Sequence, residues 1–244
     1  MQARDVIRWL TRQPEQWREA VKVVAIDMSG TYRAGVRAAL PHAKIAVDPF
    51  HVVQAANKMV AVVRRREITG KYGRRGRSGD PEYSAKRLLA RNTEDLTPAQ
   101  AAKLWDTLLA AGPTGERILA AYIAKEKLRQ VLALSPTRTR ITPADSQIRH
   151  RLTDFFDWCA DFPNIPEMTT LAQTVSNWRY ELATAVRTGA SNAKSEGHNR
   201  IVKLIARIAF GFRNPLNQRR RVRYAATRAG RRHPSQPVAN SQAP

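Results

Sequence analysis

Two carboxylates, Asp27 and Asp48, stand at positions where they could share a metal ion. Each follows a short apolar run rich in β-branched residues, VKVVAI before Asp27 and KIAV before Asp48. Such runs predict buried parallel strands, and ligands bind at the carboxyl ends of the strands in open α/β sheets. Converging carboxylates repel each other and favour a divalent cation, and oxygen ligands select Mg²⁺ or Mn²⁺. Acids at strand ends are also ordinary turn formers and helix caps, and spacing does not decide between these interpretations.

A third carboxylate, Glu196, lies on a predicted helix that is otherwise strongly basic. Helical spacing places Glu196, Lys203 and Arg207 on one face of this helix. An apolar face is supplied by four residues, Ile201, Leu204, Ile205 and Ile208. A carboxylate beside a cationic track suits in-line phosphoryl transfer, in which a divalent ion activates a water or a 3′-hydroxyl. The alternative is an amphipathic surface helix with one intrahelical ion pair.

Two further side chains have both a functional and a structural interpretation. His51 follows Asp48 by three residues and could contact a scissile phosphate or orient an acid. A lone histidine after a strand is otherwise a structural residue with ordinary hydrogen bonds. Trp178 could stack on a base, but its place in an apolar stripe of helical spacing favours packing in the core.

The charge balance predicts a polyanionic partner. The 244 residues carry a formal net charge of +22 at pH 7, from 42 Lys and Arg against 20 Asp and Glu. The sequence pI is about 11.3. Nucleic acid is the leading candidate, because its phosphates relieve self-repulsion of this size. We expect DNA contacts from basic side chains near the C-terminus, namely Arg200, Lys203, Arg207, Arg213, Arg219, Arg220 and Arg221.

Composition and missing motifs argue against several classes of protein. Cys159 is the single cysteine, which excludes an internal disulfide and a cysteine-cluster zinc site. An anionic membrane is the weaker partner, because we find neither an apolar run of about 18 residues nor a signal peptide. The motifs GxxxxGK(S/T), GxGxxG after a strand, HExxH and GxSxG are absent. We therefore expect a cytoplasmic, nucleoid-associated protein that binds no membrane.

The hydrophobic pattern predicts the elements that must position these groups. Residues 1–66 follow the order helix, strand, helix, strand, helix, which is typical of a parallel sheet with covering helices. Residues 68–80 form a basic, Gly-rich segment that we expect to be a mobile loop, and the chain after it is helical. Thr97 predicts a helix start, and Gly189 and Gly211 predict helix ends.

Three blocks of the sequence, in this order, resemble the bacterial insertion-sequence transposases of the ISL-three type. The first is VVAIDMSGTYRAGVRAALPHAKIAVDPFHVVQAANK, which contains the Asp, Tyr, Pro-x-Ala and Asp-x-Phe-His elements of that family. The second, LTPAQAAKLW with AYIAKEKLRQVL, resembles the family's helical insertion. The third, SNAKSEGHNRIVKLIARIAFGFRN, resembles its C-terminal block. The similarity covers roughly residues 5 to 222.

The resemblance implies a DDE transposase with an RNase H-like fold that cleaves DNA and transfers strands with Mg²⁺ or Mn²⁺. The family's second catalytic Asp maps to Asp27 and its final Glu to Glu196, so both are implied catalytic residues and metal ligands. Asp48 and His51 match the Asp-x-Phe-His motif as accessory residues, with Asp48 as an alternative second ligand. The implied partners are DNA, as element ends and target, and either a second copy of the chain or an intact transposase.

The sequence departs from the family pattern before Asp27. An RNase H-like sheet begins with three antiparallel strands, the first of which carries the first catalytic Asp, and no β-hairpin pattern precedes Asp27. We therefore expect a partial RNase H-like fold, α/β but mostly helical, with two parallel strands and an exposed apolar strand edge. With one acid of three missing, we expect an N-terminally truncated enzyme that is inactive alone. The alternative is a non-catalytic, basic DNA-binding module that regulates an intact transposase.

The predicted organisation has four parts. Residues 1–66 form the partial core with the family's fourth and fifth strands. Residues 67–166 hold the basic loop and an all-helical insertion that interrupts the fold. Residues 167–214 form return helices that carry Glu196, and residues 215–244 form a basic, disordered tail.

Overall fold

The computed structural model describes residues 2–231, with side chains as far as Thr227. The chain forms two compact units, Met1–Ser191 and Asn192–Pro244. Their boundary falls inside the part, 167–214, that the sequence pattern groups as return helices, and the four-part division stays a prediction. In the described part of the chain, no helix combines the length and the apolar character needed to cross a membrane.

The first unit begins with a parallel two-stranded sheet and its flanking helices. Strand β1 (Val23–Ile26) pairs with strand β2 (Lys44–Val47) in a parallel register. The helices around them are α1 (Ala3–Thr11), α2 (Glu15–Ala20), α3 (Gly30–Ala39) and α4 (Pro49–Tyr72). The predicted order of alternating helices and strands is confirmed, apart from the division of the first helix into two. Residues 2–231 are mostly helical with two parallel strands, as expected.

Helices form the rest of the first unit. They are α5 (Pro81–Ser84), α6 (Lys86–Leu89), α7 (Pro98–Ala110), α8 (Pro113–Ala133), α9 (Pro136–Thr139), α10 (Asp145–Ala160), α11 (Pro166–Asn177) and α12 (Arg179–Thr188), with a 3₁₀ turn at Thr93–Asp95. Local chemistry sets some boundaries as predicted. The Thr97 hydroxyl accepts from the amide of Gln100, whose side chain accepts from the Thr97 amide, so a capping box starts α7. Gly189 ends α12 in the left-handed conformation.

The two strands differ in burial. In β2, Ile45, Ala46 and Val47 are buried, and α12 packs against this strand. In β1, residues 23–25 are only half-buried. The sheet therefore has one protected strand and one accessible strand, which agrees with the apolar edge expected before Asp27.

The core of the first unit is centred on α8, which packs along α4 and against α7 and α10. The fully buried side chains of this core include Leu104, Ile118, Leu128 and Phe155. Each such side chain contributes about 1.5–3 kcal/mol by leaving water. Trp178 is buried as well, so the structural interpretation of this residue is confirmed, and it separates α11 from α12.

Buried charges tie the segment between α6 and α7 to α8. The ammonium of Lys125, which is fully buried, donates to the carbonyl oxygens of Leu89 at 3.0 Å and Arg91 at 2.6 Å. Desolvation by burial lowers the pKa of Lys125. From the same helix, the Arg129 guanidinium donates to the Glu94 carboxylate and lowers the pKa of Glu94 to about 2. The Lys125 contacts satisfy two backbone carbonyl groups, and the Arg129 contact pairs two opposite charges.

The basic Gly-rich segment, 68–80, is more ordered than predicted. Its first residues continue α4 as far as Tyr72, and the left-handed Gly73 ends that helix. The Arg74 guanidinium then donates two hydrogen bonds, of 2.8 and 2.9 Å, to the Asp80 carboxylate. The expectation of a loop is therefore wrong for residues 68–72, which are helical, and the pair of Arg74 with Asp80 closes the loop that follows.

The second unit consists of two helices in its described part, α13 (Ala193–Ile208) and α14 (Pro215–Arg231), which pack against each other. The disordered tail predicted from residue 215 is therefore wrong as far as Arg231, and residues 232–244 lie outside the described part. The physical reason is a stripe of half-buried residues at helical spacing, Gln218, Val222, Ala225 and Ala226. Asn214 supports the start of α14, because its side-chain oxygen accepts from the Leu216 amide at 2.9 Å.

Candidate metal centre and nucleic-acid interface

The parallel register puts Asp27 and Asp48 at the same end of the sheet. Ile26 pairs with Val47, so the two aspartates that follow leave their strands side by side. The Asp48 amide donates to the Ile26 carbonyl oxygen at 2.8 Å, and this hydrogen bond holds the ends of the two strands together. The structure thus brings together the two acids that the strand pattern placed at one edge.

His51 joins the two aspartates from the first turn of α4. Asp48 is the N-cap of this helix, and its Oδ1 accepts from the Phe50 amide at 3.2 Å. The turn brings His51 Nε2 to 3.0 Å from Asp27 Oδ1. The Phe50 ring meets the imidazole edge-on, with 5.4 Å between the ring centroids. The position of His51 is therefore fixed by the cap that Asp48 provides.

The three side chains form a cluster that could hold a divalent cation. One donor atom from each of Asp27, Asp48 and His51 lies within 4.8 Å of the others. Ligands of one octahedral ion, with bonds of about 2.0–2.1 Å, stand roughly 3–4 Å apart, so these donors need to move little. Asp48 is only 3% exposed, whereas the Asp27 side chain is 48% exposed. The cluster therefore has a buried anchor and an open side that solvent or a phosphate oxygen can reach.

A cavity of about 410 Å³ opens beside the cluster, within the first unit. Asp48 and the exposed ring of Phe50 line it, together with the basic side chains of Arg129 and Arg138. The sequence pattern did not indicate this cavity, because α8 and α9 bring the two arginines to Asp48 from far along the chain. Both arginines at this cavity also lie beside the Glu94 carboxylate, which balances much of their charge.

The second unit carries the other predicted site residues. Glu196 lies in the first turn of α13, where the helix dipole favours a carboxylate. Its role as a metal ligand stays a prediction. The predicted DNA-binding residues are all exposed, namely Arg200, Lys203, Arg207, Arg213, Arg219, Arg220 and Arg221.

Three of these arginines meet at one cavity of about 550 Å³ in the second unit. Arg213, Arg220 and Arg221 line it, together with Asn214 and Asn217. Guanidinium and amide N–H groups are the donors that commonly contact phosphate oxygens in DNA complexes. The arginines stand out in the sequence, but their convergence depends on the turn between α13 and α14.

Comparison with known proteins decides the family. A family model described as transposase, of the ISL-three DDE type, matches residues 2–222. The chain belongs to the ISL-three-type DDE transposases. The membership predicted from the three sequence blocks is confirmed.

Two curated relatives of this ISL-three-type chain show the extent of the match. The transposase for insertion sequence element IS1557 of Mycobacterium tuberculosis is 32% identical over 196 residues, which cover 72% of this chain and 41% of that protein. The transposase for insertion sequence element IS1001 of Bordetella parapertussis is 27% identical over 197 residues, covering 80% of this chain and 45% of that protein. The chain thus spans less than half the length of these relatives. No solved structure matches, and the RNase H-like fold stays a prediction.

The structure groups three of the predicted site residues of this ISL-three-type chain within the first unit. We predicted a metal pair of Asp27 and Glu196, with Asp48 and His51 as accessory residues. Within the first unit Asp27 lies beside Asp48 and His51, and the metal pair of Asp27 and Glu196 stays a prediction. A signal for this was available in the sequence, because acids that directly follow two adjacent parallel strands become neighbours.

Proposed function

We propose that this chain binds DNA and uses Asp27, Asp48 and His51 to hold a Mg²⁺ or Mn²⁺ ion for phosphoryl transfer in DNA transposition. The observation that carries this proposal is the convergence of the three donors within 4.8 Å at the end of the parallel sheet. Family membership supports the reaction class, since the curated relatives are named transposases. Two carboxylates with one imidazole suit Mn²⁺ at least as well as Mg²⁺, because nitrogen ligands favour the transition metal.

Each residue of the cluster has a distinct role in this proposal. Asp48 is the anchor, because its burial and its hydrogen bond from Phe50 restrict its side chain. Asp27 presents the more accessible carboxylate, and His51 orients it or supplies the third donor. A bound divalent ion would polarise a phosphoryl oxygen and favour ionisation of the attacking hydroxyl. Glu196 contributes a further catalytic carboxylate, as the family resemblance implies.

The basic surface of the second unit supports the choice of DNA as substrate. Glu196 is the single acidic residue in the sequence 192–244, which is otherwise rich in arginine. Phosphate contacts from such a surface supply sequence-independent affinity and depend steeply on salt. We propose that this surface holds the DNA and that the cluster acts on its backbone.

Metal binding tests the proposed site directly. We expect the wild-type protein to bind Mn²⁺ in a titration followed by electron paramagnetic resonance of the free ion. Asp48→Asn should weaken this binding about tenfold or more while keeping the fold, because Asn and Asp are equivalent helix caps. The matched control is Asp106→Asn, which changes an exposed acid on α7. Equal Mn²⁺ affinity in the wild type and in Asp48→Asn would refute the metal site.

A non-catalytic DNA-binding module or regulator is the second candidate function. It is favoured by the location of the predicted DNA-binding residues, which belong to a different compact unit from the cluster. Glu196→Gln separates the two functions. If the chain cleaves or joins DNA with Mg²⁺, the substitution should abolish that activity and leave DNA affinity equal or higher. If the wild type binds DNA tightly and shows no metal-dependent cleavage or joining, the regulator is favoured.

A further inference from the structure

The turn between α13 and α14 holds an aromatic ring in an unusual backbone conformation. Helix α13 ends with two reverse hydrogen bonds, from the Phe210 amide to the Arg207 carbonyl at 3.1 Å and from the Gly211 amide to the Ala206 carbonyl at 2.9 Å. This pattern is a Schellman motif, whose left-handed position is normally a glycine. Here Phe210 occupies that position, with φ of 49°, and Gly211 follows with φ of 95°. The glycine that predicted the helix end is therefore one residue beyond the position that needs it.

Folding does not account for a phenylalanine at this place. The left-handed region is unfavourable for a residue with a bulky side chain, and glycine would adopt it without strain. The Phe210 side chain is also 100% exposed, so its ring gains nothing from burial in this chain. A residue that is both strained and exposed indicates a role in binding, since such outliers cluster at ligand-binding sites.

Positive charge surrounds the turn. The cavity lined by Arg213, Arg220 and Arg221 also contains Ala209 and Gly211, the two neighbours of Phe210. The Arg221 guanidinium lies 5.9 Å from the centre of the Phe212 ring. A protein partner for this apolar ring would have to bury three guanidinium groups beside it, whereas a nucleic acid supplies both phosphates and aromatic faces. Charge complementarity therefore points to DNA as the occupant.

We propose that Phe210 is a stacking wedge that inserts into a base step of duplex DNA while Arg213, Arg220 and Arg221 hold the flanking phosphates. The proposal rests on the DNA binding proposed above and adds a deformation of the DNA to it. Apolar side chains inserted between base pairs unstack them and kink the duplex. The tight Schellman turn suits this role, because it projects the ring from the end of α13 beyond the helix surface.

Base unstacking can be measured separately from DNA binding. The full-length chain is titrated into short duplexes that each carry the fluorescent base 2-aminopurine at a different step, and fluorescence anisotropy of an end label reports binding. We expect a severalfold rise of 2-aminopurine emission at one or a few steps with the wild type. Phe210→Gly should abolish that rise, and Phe210→Trp should preserve it. The control is Tyr224→Ala, which removes another exposed aromatic ring of the same unit and should leave the rise intact.

The thermal stability of Phe210→Gly shows whether a lost signal could come from unfolding. Glycine fits the left-handed position, so the thermal midpoint of this variant should equal or exceed that of the wild type. Binding without any rise in emission would overturn the wedge and leave the proposed DNA binding intact, and so would an equal rise in the wild type and in Phe210→Gly. Absence of DNA binding by the wild type would overturn both proposals. Loss of self-association in Phe210→Gly, measured by sedimentation, with unchanged emission would assign the ring to a protein contact and overturn the wedge.

Discussion

Gly115 of α8 lies so close to Leu108 of α7 that a methyl group built on it would stand 1.8 Å from the Leu108 carbonyl oxygen. The two helices therefore meet backbone to backbone where the chain turns from one into the other. The obstacle is a main-chain atom, and the Leu108 side chain is itself fully buried. Neither helix can move aside without disturbing the core around α8.

Gly115→Ala should therefore destabilise the protein, by about 2–4 kcal/mol, because the added methyl overpacks a rigid contact. Urea unfolding followed by circular dichroism measures the change. The matched control is Gly70→Ala on α4, where the added methyl meets nothing within 4 Å beyond its own helix turn. This control should be neutral or gain up to about 1 kcal/mol, because alanine is the better helix former. Equal midpoints for the two variants would contradict the contact.

The ion pair of Glu94 with Arg129 should make stability depend on pH in the acid range. The hydrogen bonds from Arg129 lower the pKa of Glu94 from 4.5 to about 2 in the folded protein. A carboxyl group with a depressed folded pKa contributes stability above its unfolded pKa and loses it as the pH falls toward the folded value. Glu94→Gln should therefore be less stable than the wild type at pH 7, with a gap that narrows between about pH 4.5 and 2.

Chemical unfolding at several pH values checks this pattern. Glu15→Gln changes an exposed acid on α2 and serves as the control, with no gap expected at either end of the range. A gap for Glu94→Gln that stays constant from pH 7 to pH 2 would show that the carboxylate charge does not stabilise the fold.

Cys159 should be inert in the folded protein. Burial raises the pKa of its thiol to about 12, so the reactive thiolate is scarce at neutral pH. We expect Ellman's reagent to modify almost no thiol in native buffer and one thiol per chain in denaturant, since Cys159 is the single cysteine. Rapid modification of the native protein would mean that α10 opens readily.

The arginines of the second unit should determine how DNA affinity depends on salt. Each phosphate contact contributes about 0.9 to the slope of log affinity against log salt concentration. The double substitution Arg220→Gln with Arg221→Gln should therefore lower that slope by about 2. The matched control replaces an adjacent basic pair of the first unit, Lys86→Gln with Arg87→Gln, and both of these residues are exposed. If both double variants lowered the salt slope equally, the DNA contacts would not be concentrated in the second unit.

Features that depend on a few neighbouring residues were predictable from the sequence. The strand runs before Asp27 and Asp48, the cap at Thr97 and the helix end at Gly189 all follow from local chemistry. Features that depend on contacts between distant parts of the chain were not predictable from the sequence. Helix α14 was missed because its arginines conceal a thin apolar stripe, and only packing against α13 reveals it. The sequence indicated Asp27, Asp48 and His51 as separate candidates, but not the turn that brings His51 Nε2 to Asp27.

The pairing of Ile26 with Val47 sets the positions of the site residues relative to each other. If β1 slipped by one residue against β2, Asp27 would shift by about 3.3 Å along the sheet and its side chain would turn to the opposite face. Asp48 and His51 would then face an empty position, even with every residue of the cluster still in the sequence. Metal affinity in this protein should therefore depend on the register of β1 against β2. A folded protein with a shifted register would fail to bind the ion.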